Sequence, residues 1–113
     1  MIQWPKQRAW GWYATLIRTP WFCVKLLRFR AKGRLSMQRH FNRTEIWCFL
    51  KGRGYSRNSF YGNYYGENWC NRPFQIWKID KGQWHQFTAP EQPVYALELQ
   101  YGKKVTEEDI ERK

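Results

Sequence analysis

Four side chains of this chain have the types and spacing of a metal site. Gln38 and His40 stand two residues apart, so on a β-strand they project from one face. A polar turn over residues 41–44 follows, and as a hairpin it would bring Glu45 up beside them. One amide oxygen, one imidazole and one carboxylate then aim at a common point. A fourth ligand must come from elsewhere, and the one other histidine is His85. Gln38, His40, Glu45 and His85 form a set of two nitrogens and two oxygens with a single negative charge. Such a set suits Zn²⁺, with Mn, Fe, Co and Ni as divalent alternatives, and keeps a position open for water or substrate. A metal with an open position polarises a carbonyl or holds a diol. By residue type alone, two histidines in a basic domain are more often ordinary surface or core residues.

Holding these groups together takes strands from distant parts of the chain, and the sequence supplies them. β-branched and aromatic residues recur in short runs, and no long helical pattern competes, which predicts an all-β domain. Residues 10–17 and 22–30 read as the first two strands, separated by a break at Thr19-Pro20. In the second, Lys25, Leu27 and Phe29 share one parity, and neither face is cleanly polar. Lys32-Gly33 turns the chain into the Gln38/His40 strand. Residues 46–50 are nearly all apolar and read as a buried strand, with Cys48 as a small core residue. The stretch 55–71 is rich in Tyr, Asn, Gly and Ser, which fits an exposed hairpin. Further strands are expected over 73–79, 84–88 and 94–101. In the last, Leu97 and Leu99 form an apolar face that Glu98 alternates away from. Thr106 to Asp109 has capping-box spacing and predicts a short C-terminal helix.

The run from Arg34 to Gly52 resembles the first cupin motif, in the version found in phosphomannose isomerases and in the isomerase domain of bifunctional mannose-phosphate guanylyltransferases. That version reads R-L-S-L-Q-x-H-x-x-R-x-E-x-W. It is met at Arg34, Leu35, Ser36, Gln38, His40, Arg43, Glu45 and Trp47, with Met37 in place of a leucine. Asp80-Lys-Gly-Gln-Trp-His85 is similar to the second cupin motif. Many cupins carry histidine where Gln38 stands, and the glutamine is the mark of the phosphomannose isomerase branch. Lys32 occupies the usual place of a glycine. Ile46 replaces a histidine, which would remove a polar group close to the site. The segment 54–75 does not match the pattern.

The resemblance implies a single cupin domain over residues 10–113, a double-stranded β-helix or jelly-roll barrel, preceded by an N-terminal arm over residues 1–9. It implies a mononuclear metal centre and the interconversion of mannose 6-phosphate and fructose 6-phosphate. Such an isomerisation needs an electrophile for the carbonyl, a base moving a proton between adjacent carbons, and a cationic cradle for phosphate. Glu98 is the candidate base, against the commoner role of an exposed strand carboxylate. Lys25 matches a lysine of the family pattern and shares parity with core residues. A buried ammonium needs a charge partner or a shifted pKa, and contact with an anionic ligand would supply one. Arg34 and Arg43 match family positions; either would hold phosphate or brace Glu45. The family also implies a homodimer.

The chain has 113 residues and a net charge of +11, unevenly placed. Residues 1–57 carry 13 Lys/Arg against Glu45 alone, and residues 58–113 carry 7 against 8 acidic residues. That field favours anionic partners or merely solvates a basic face. Three cysteines without C-x-x-C spacing argue against a disulfide framework and for reduced thiols, hence a cytoplasmic location. Residues 1–8 do not read as a signal peptide, lacking an apolar core and a small-residue cleavage site, and no apolar run reaches membrane-spanning length. Two other functions stay open. One is a cupin that binds a sugar, nucleotide sugar or other anion without turning it over. The other is a basic barrel stacking single-stranded nucleic acid on the rings between Tyr55 and Trp69.

Overall fold

In the computed structural model, residues 5–59 and 65–113 are described. They form twelve strands: β1 (Lys6–Arg8), β2 (Gly11–Arg18), β3 (Phe22–Phe29), β4 (Gly33–Arg34), β5 (Gln38–Arg39), β6 (Arg43–Lys51), β7 (Gly54–Ser59), β8 (Tyr65–Cys70), β9 (Ile76–Ile79), β10 (His85–Ala89), β11 (Val94–Gly102) and β12 (Glu111–Arg112). One sheet runs β1-β2-β3-β11-β6-β9. The other runs β12-β5-β10-β7-β8, with β4 also joined to β10. All pairs are antiparallel. Among the described residues there is no helix, and so none long and apolar enough to cross a membrane.

The inward faces meet in a ring-rich core. Phe29 of the first sheet packs on Phe87 of the second at 4.8 Å between centroids. Phe49 stacks on the same ring at 5.1 Å, and Trp47 meets Trp77 edge-on at 4.9 Å. Such pairs add about 1 kcal/mol each beyond area burial. Removing a ring such as Phe29 or Phe87, both fully buried, would cost about 3–5 kcal/mol.

The register divides this interior lengthwise. On one rung Phe49, Ala96 and Leu27 are cross-strand neighbours; on the next come Trp47, Glu98 and Lys25; on the one after, Glu45, Gln100 and Cys23. Because side chains alternate with period two, all nine face inward, and all nine are buried. One end of the barrel is therefore a packed apolar core and the other a buried polar chamber.

Three expectations need correction. Residues 41–44 do not make a hairpin, because β5 and β6 lie in different sheets. The turn is a corner between the sheets, so Glu45 faces the β5 residues across the barrel instead of beside them. Thr106 to Asp109 is not a helix. A single Asp109-to-Thr106 backbone turn forms, and the chain then leaves it to pair β12 with β5. The helix loses to tertiary bonds: the Asp109 carboxylate accepts from the N–H groups of Phe41 and Asn42, each at 2.8 Å, and the Thr106 carbonyl accepts from Arg43. Cys48 is half-buried on the outer face of β6, not in the core. Lys32, standing where the motif has glycine, adopts φ 66°, a backbone region that costs a non-glycine residue about 1 kcal/mol or more. Gly33 cannot exchange with it, since a Cβ there would run into the carbonyls of Trp10 and Arg30.

Candidate metal centre

His40 follows β5, His85 opens β10 and Glu45 lies early in β6, so two sheets deliver the three groups. Their ligand atoms all fall within 4.8 Å of one another, and all three residues are buried. His40 Nε2 is 3.1 Å from Glu45 Oε2, and His85 Nε2 is 3.8 Å from Glu45 Oε1. The other nitrogen of each ring is already committed. His40 Nδ1 lies 2.6 Å from the Asp109 carbonyl, and His85 Nδ1 lies 3.1 Å from the Gln83 carbonyl. A carbonyl only accepts, so both Nδ1 atoms carry the proton and both Nε2 atoms, the ones nearer Glu45, are unprotonated. That is the tautomer and outer support a metal-binding histidine requires. Burial lowers the pKa of both rings to about 4, helped in each by the positive charge of Arg43. Both are neutral at neutral pH, the form that ligates. The donor set fits a divalent cation.

The fourth candidate, Gln38, is buried, lines the same cavity and sits directly across from His85 in the ladder. Its side-chain nitrogen donates weakly to Ser36, at 3.3 and 3.4 Å. Arg43 is buried beside the triad: Nε donates to Glu45 Oε2 at 2.9 Å and Nη2 to His40 Nε2 at 3.1 Å. It braces Glu45, which also accepts from Trp47 Nε1 at 3.1 Å. Arg34 is exposed on β4 and does not line the cavity.

Glu98 is not an exposed strand carboxylate. It is 6% exposed, one rung from Glu45, and Gln100 Nε2 donates to it at 3.0 Å. Burial, then the neighbouring Glu45 carboxylate, pushes its pKa up to about 8. The Leu97/Leu99 face is the outer, half-exposed one. Gln100 lines the same chamber, and its buried Oε1 has no hydrogen-bond partner among the described residues. Ile46 shares the outer face with Leu99 and Lys78, so losing a histidine there takes no polar group from the chamber.

The cavity holds ~160 Å³ and is lined by Arg8, Lys25, Arg43 and Arg112 as well as Glu45, Glu98 and Glu107. With Glu98 protonated, its walls carry more positive than negative charge. Lys25 is 5% exposed and pairs with Glu107. Sequence patterns gave Glu107, Arg8, Gln100 and Asp109 no role at the site. Only the need of Lys25 for a counter-charge pointed toward one of them. The Tyr55–Trp69 pair packs edge-on at 5.4 Å, with Arg53 against Trp69; residues 60–64 of the expected hairpin lie outside the described residues.

A family model described as mannose-6-phosphate isomerase C-terminal matches residues 3–113. No curated protein matches by sequence. Among solved structures, oxalate decarboxylase from Bacillus subtilis is similar, with TM-score 0.84 at 11% identity, over 96% of this chain and 29% of that one. The capsular polysaccharide assembling protein CapF from Staphylococcus aureus is similar at TM-score 0.81 and 13% identity, over 96% of this chain and 33% of that one. A formate complex of Lactobacillus farciminis oxalate decarboxylase gives TM-score 0.81 at 11% identity, over 96% and 33%. At these identities the likeness is one of fold. The chain spans about a third of the length of each of these proteins.

Proposed function

Since the chain belongs to the mannose-6-phosphate isomerase C-terminal family and has the cupin fold, we propose that it is a metal-dependent isomerase of a hexose 6-phosphate, interconverting mannose 6-phosphate and fructose 6-phosphate. The observation that carries this reading is a proton-holding carboxyl, Glu98, lining the same cavity as Glu45 and His85 of the three-residue ligand set. His40, Glu45 and His85 would hold the cation, with Gln38 as the adjacent amide donor. The cation, Zn²⁺ by donor type, supplies electrophilic polarisation of the sugar carbonyl when bound.

The remaining work falls to the chain's own side chains. Aldose–ketose exchange moves a proton between neighbouring carbons, and a carboxyl poised near neutral pH can both take and return it. Glu98 has that poise because burial and Glu45 oppose its ionisation. Arg8, Lys25, Arg43 and Arg112 give the chamber its attraction for a phosphate. Arg43 also fixes Glu45, and the two carbonyls on the histidine Nδ1 atoms fix the rings. The three thiols are free, which accords with a reducing cytoplasmic setting, and a homodimer is the assembly proposed from the family.

The test is to add mannose 6-phosphate and follow fructose 6-phosphate with and without a chelator. Turnover that the chelator abolishes and Zn²⁺ restores is expected. Binding of the sugar phosphate with no turnover at any metal loading would leave a non-catalytic anion-binding cupin instead.

A further inference from the structure

The charge partner of Lys25 comes from an unexpected place. Lys25 lies on β3 at the polar end of the barrel, and its ammonium sits 4.3 Å from the centroid of Tyr13. Its cross-strand neighbours are Thr15 and Glu98. Thr15 is uncharged, and among the described residues the ion pair of this buried ammonium is made with neither strand neighbour. Leaving it unpaired would cost several kcal/mol. The counter-charge is Glu107, from the irregular segment between β11 and β12.

Glu107 differs from its partner in every relevant respect. Its side chain is 44% exposed where that of Lys25 is 6%, and it sits outside any strand. It also accepts from Arg18 Nη2 at 3.3 Å, while Arg18 Nη1 reaches the Val105 carbonyl at 3.5 Å. One carboxylate at the cavity wall thus bridges a buried lysine and an exposed arginine. Three further cations, Arg8, Arg43 and Arg112, line the same cavity. A tethered anion on a segment without strand pairing is the easiest of these groups to displace.

We infer that Lys25 and Arg18 form an anion subsite at the mouth of the chamber, that Glu107 fills it as a tethered stand-in, and that a phosphate monoester enters by displacing this carboxylate. The inference rests on the reading that the chamber takes a sugar phosphate, and it adds the site of the phosphate and the residue that competes for it. A tethered competitor weakens the free ligand by the ratio of its effective concentration to its own dissociation constant. For short tethers that concentration is in the mM range.

Inorganic phosphate is the probe, titrated by calorimetry into the purified chain, Glu107→Gln, and Lys25→Met. Expected is a gain of about 10-fold or more in phosphate affinity for Glu107→Gln and loss of most binding in Lys25→Met. An affinity in folded Glu107→Gln equal to or below that of the unaltered chain overturns the inference, as does full binding by Lys25→Met. Should Glu107→Gln fail to fold, hydrogen exchange on the unaltered chain decides the matter. Phosphate should speed exchange of the amides of residues 105–110; unchanged or slowed exchange overturns the displacement. Neither readout requires turnover, so a chain that binds phosphate this way yet isomerises nothing would sink the enzymatic reading alone.

Discussion

His40 donates its Nδ1 proton to the backbone carbonyl of Asp109 at 2.6 Å, so a candidate metal ligand is aimed by the segment nearest the C-terminus. The same residue's carboxylate takes the N–H groups of Phe41 and Asn42, which fixes the corner from which Arg43 and Glu45 depart. One short segment therefore sets both halves of the centre.

Replacing Asp109 by alanine keeps the carbonyl but frees the corner. Two charge-assisted bonds to partly buried N–H groups are lost, a cost of about 2 kcal/mol. Metal affinity should fall about 10–100-fold, as for other outer-shell changes. Chemical denaturation and a competitive chelator titration measure the two effects. Unchanged values in both would show that the corner holds itself.

Stability of the chelator-treated protein should have an optimum near pH 6.5, the sign following from three buried groups. His40 and His85 have folded pKa values of about 4 against an ordinary 6.5. Unfolding takes up protons there, so stability falls as pH drops from 6.5 toward 4, by about 3 kcal/mol per ring at most. Glu98, raised to about 8 from 4.5, works in the opposite sense: its contribution is lost as pH climbs through that window. Two histidines outweigh one carboxyl below about pH 6.5, and Glu98 alone acts above it. Urea midpoints from pH 4.5 to 8.5 check this, and a flat profile would contradict it.

Glu98→Gln separates the proton carrier from the scaffold. The amide keeps the shape and the neutral state, so the fold should hold and the alkaline arm of the stability profile should flatten. Isomerisation should fall by about 10²- to 10⁴-fold in kcat, the usual range for a lost acid–base group. A variant with undiminished kcat would remove Glu98 from the chemistry.

Much of this arrangement could be read from residue order. Short runs of β-branched and aromatic residues located the strands around Lys25, Trp47, Phe87 and Glu98, and motif spacing picked out His40, Glu45 and His85. What failed did so for physical reasons. On β11, opposite an apolar Leu97/Leu99 face, Glu98 has the commoner role of an exposed strand carboxylate, but a barrel end that houses charges turns Glu98 and Gln100 inward and leaves the leucines half-exposed. Thr106 to Asp109 has local helix signals, but bonds to Arg43, Phe41 and Asn42 outbid them. The Asp109 carbonyl carries no side-chain signature at all. Glu107 looks like any surface acid until the burial of Lys25 is known.

The convergence of His40, Glu45 and His85 on a single cation is best tested by elemental analysis of purified protein beside Glu45→Ala and His85→Ala. Glu45→Ala leaves Arg43 buried without its carboxylate, at a cost of about 3–5 kcal/mol, so each variant is first shown to be folded by its thermal transition. The expected result is one divalent metal ion per unaltered chain and a large loss in both variants. Equal metal content in all three proteins would contradict the assignment.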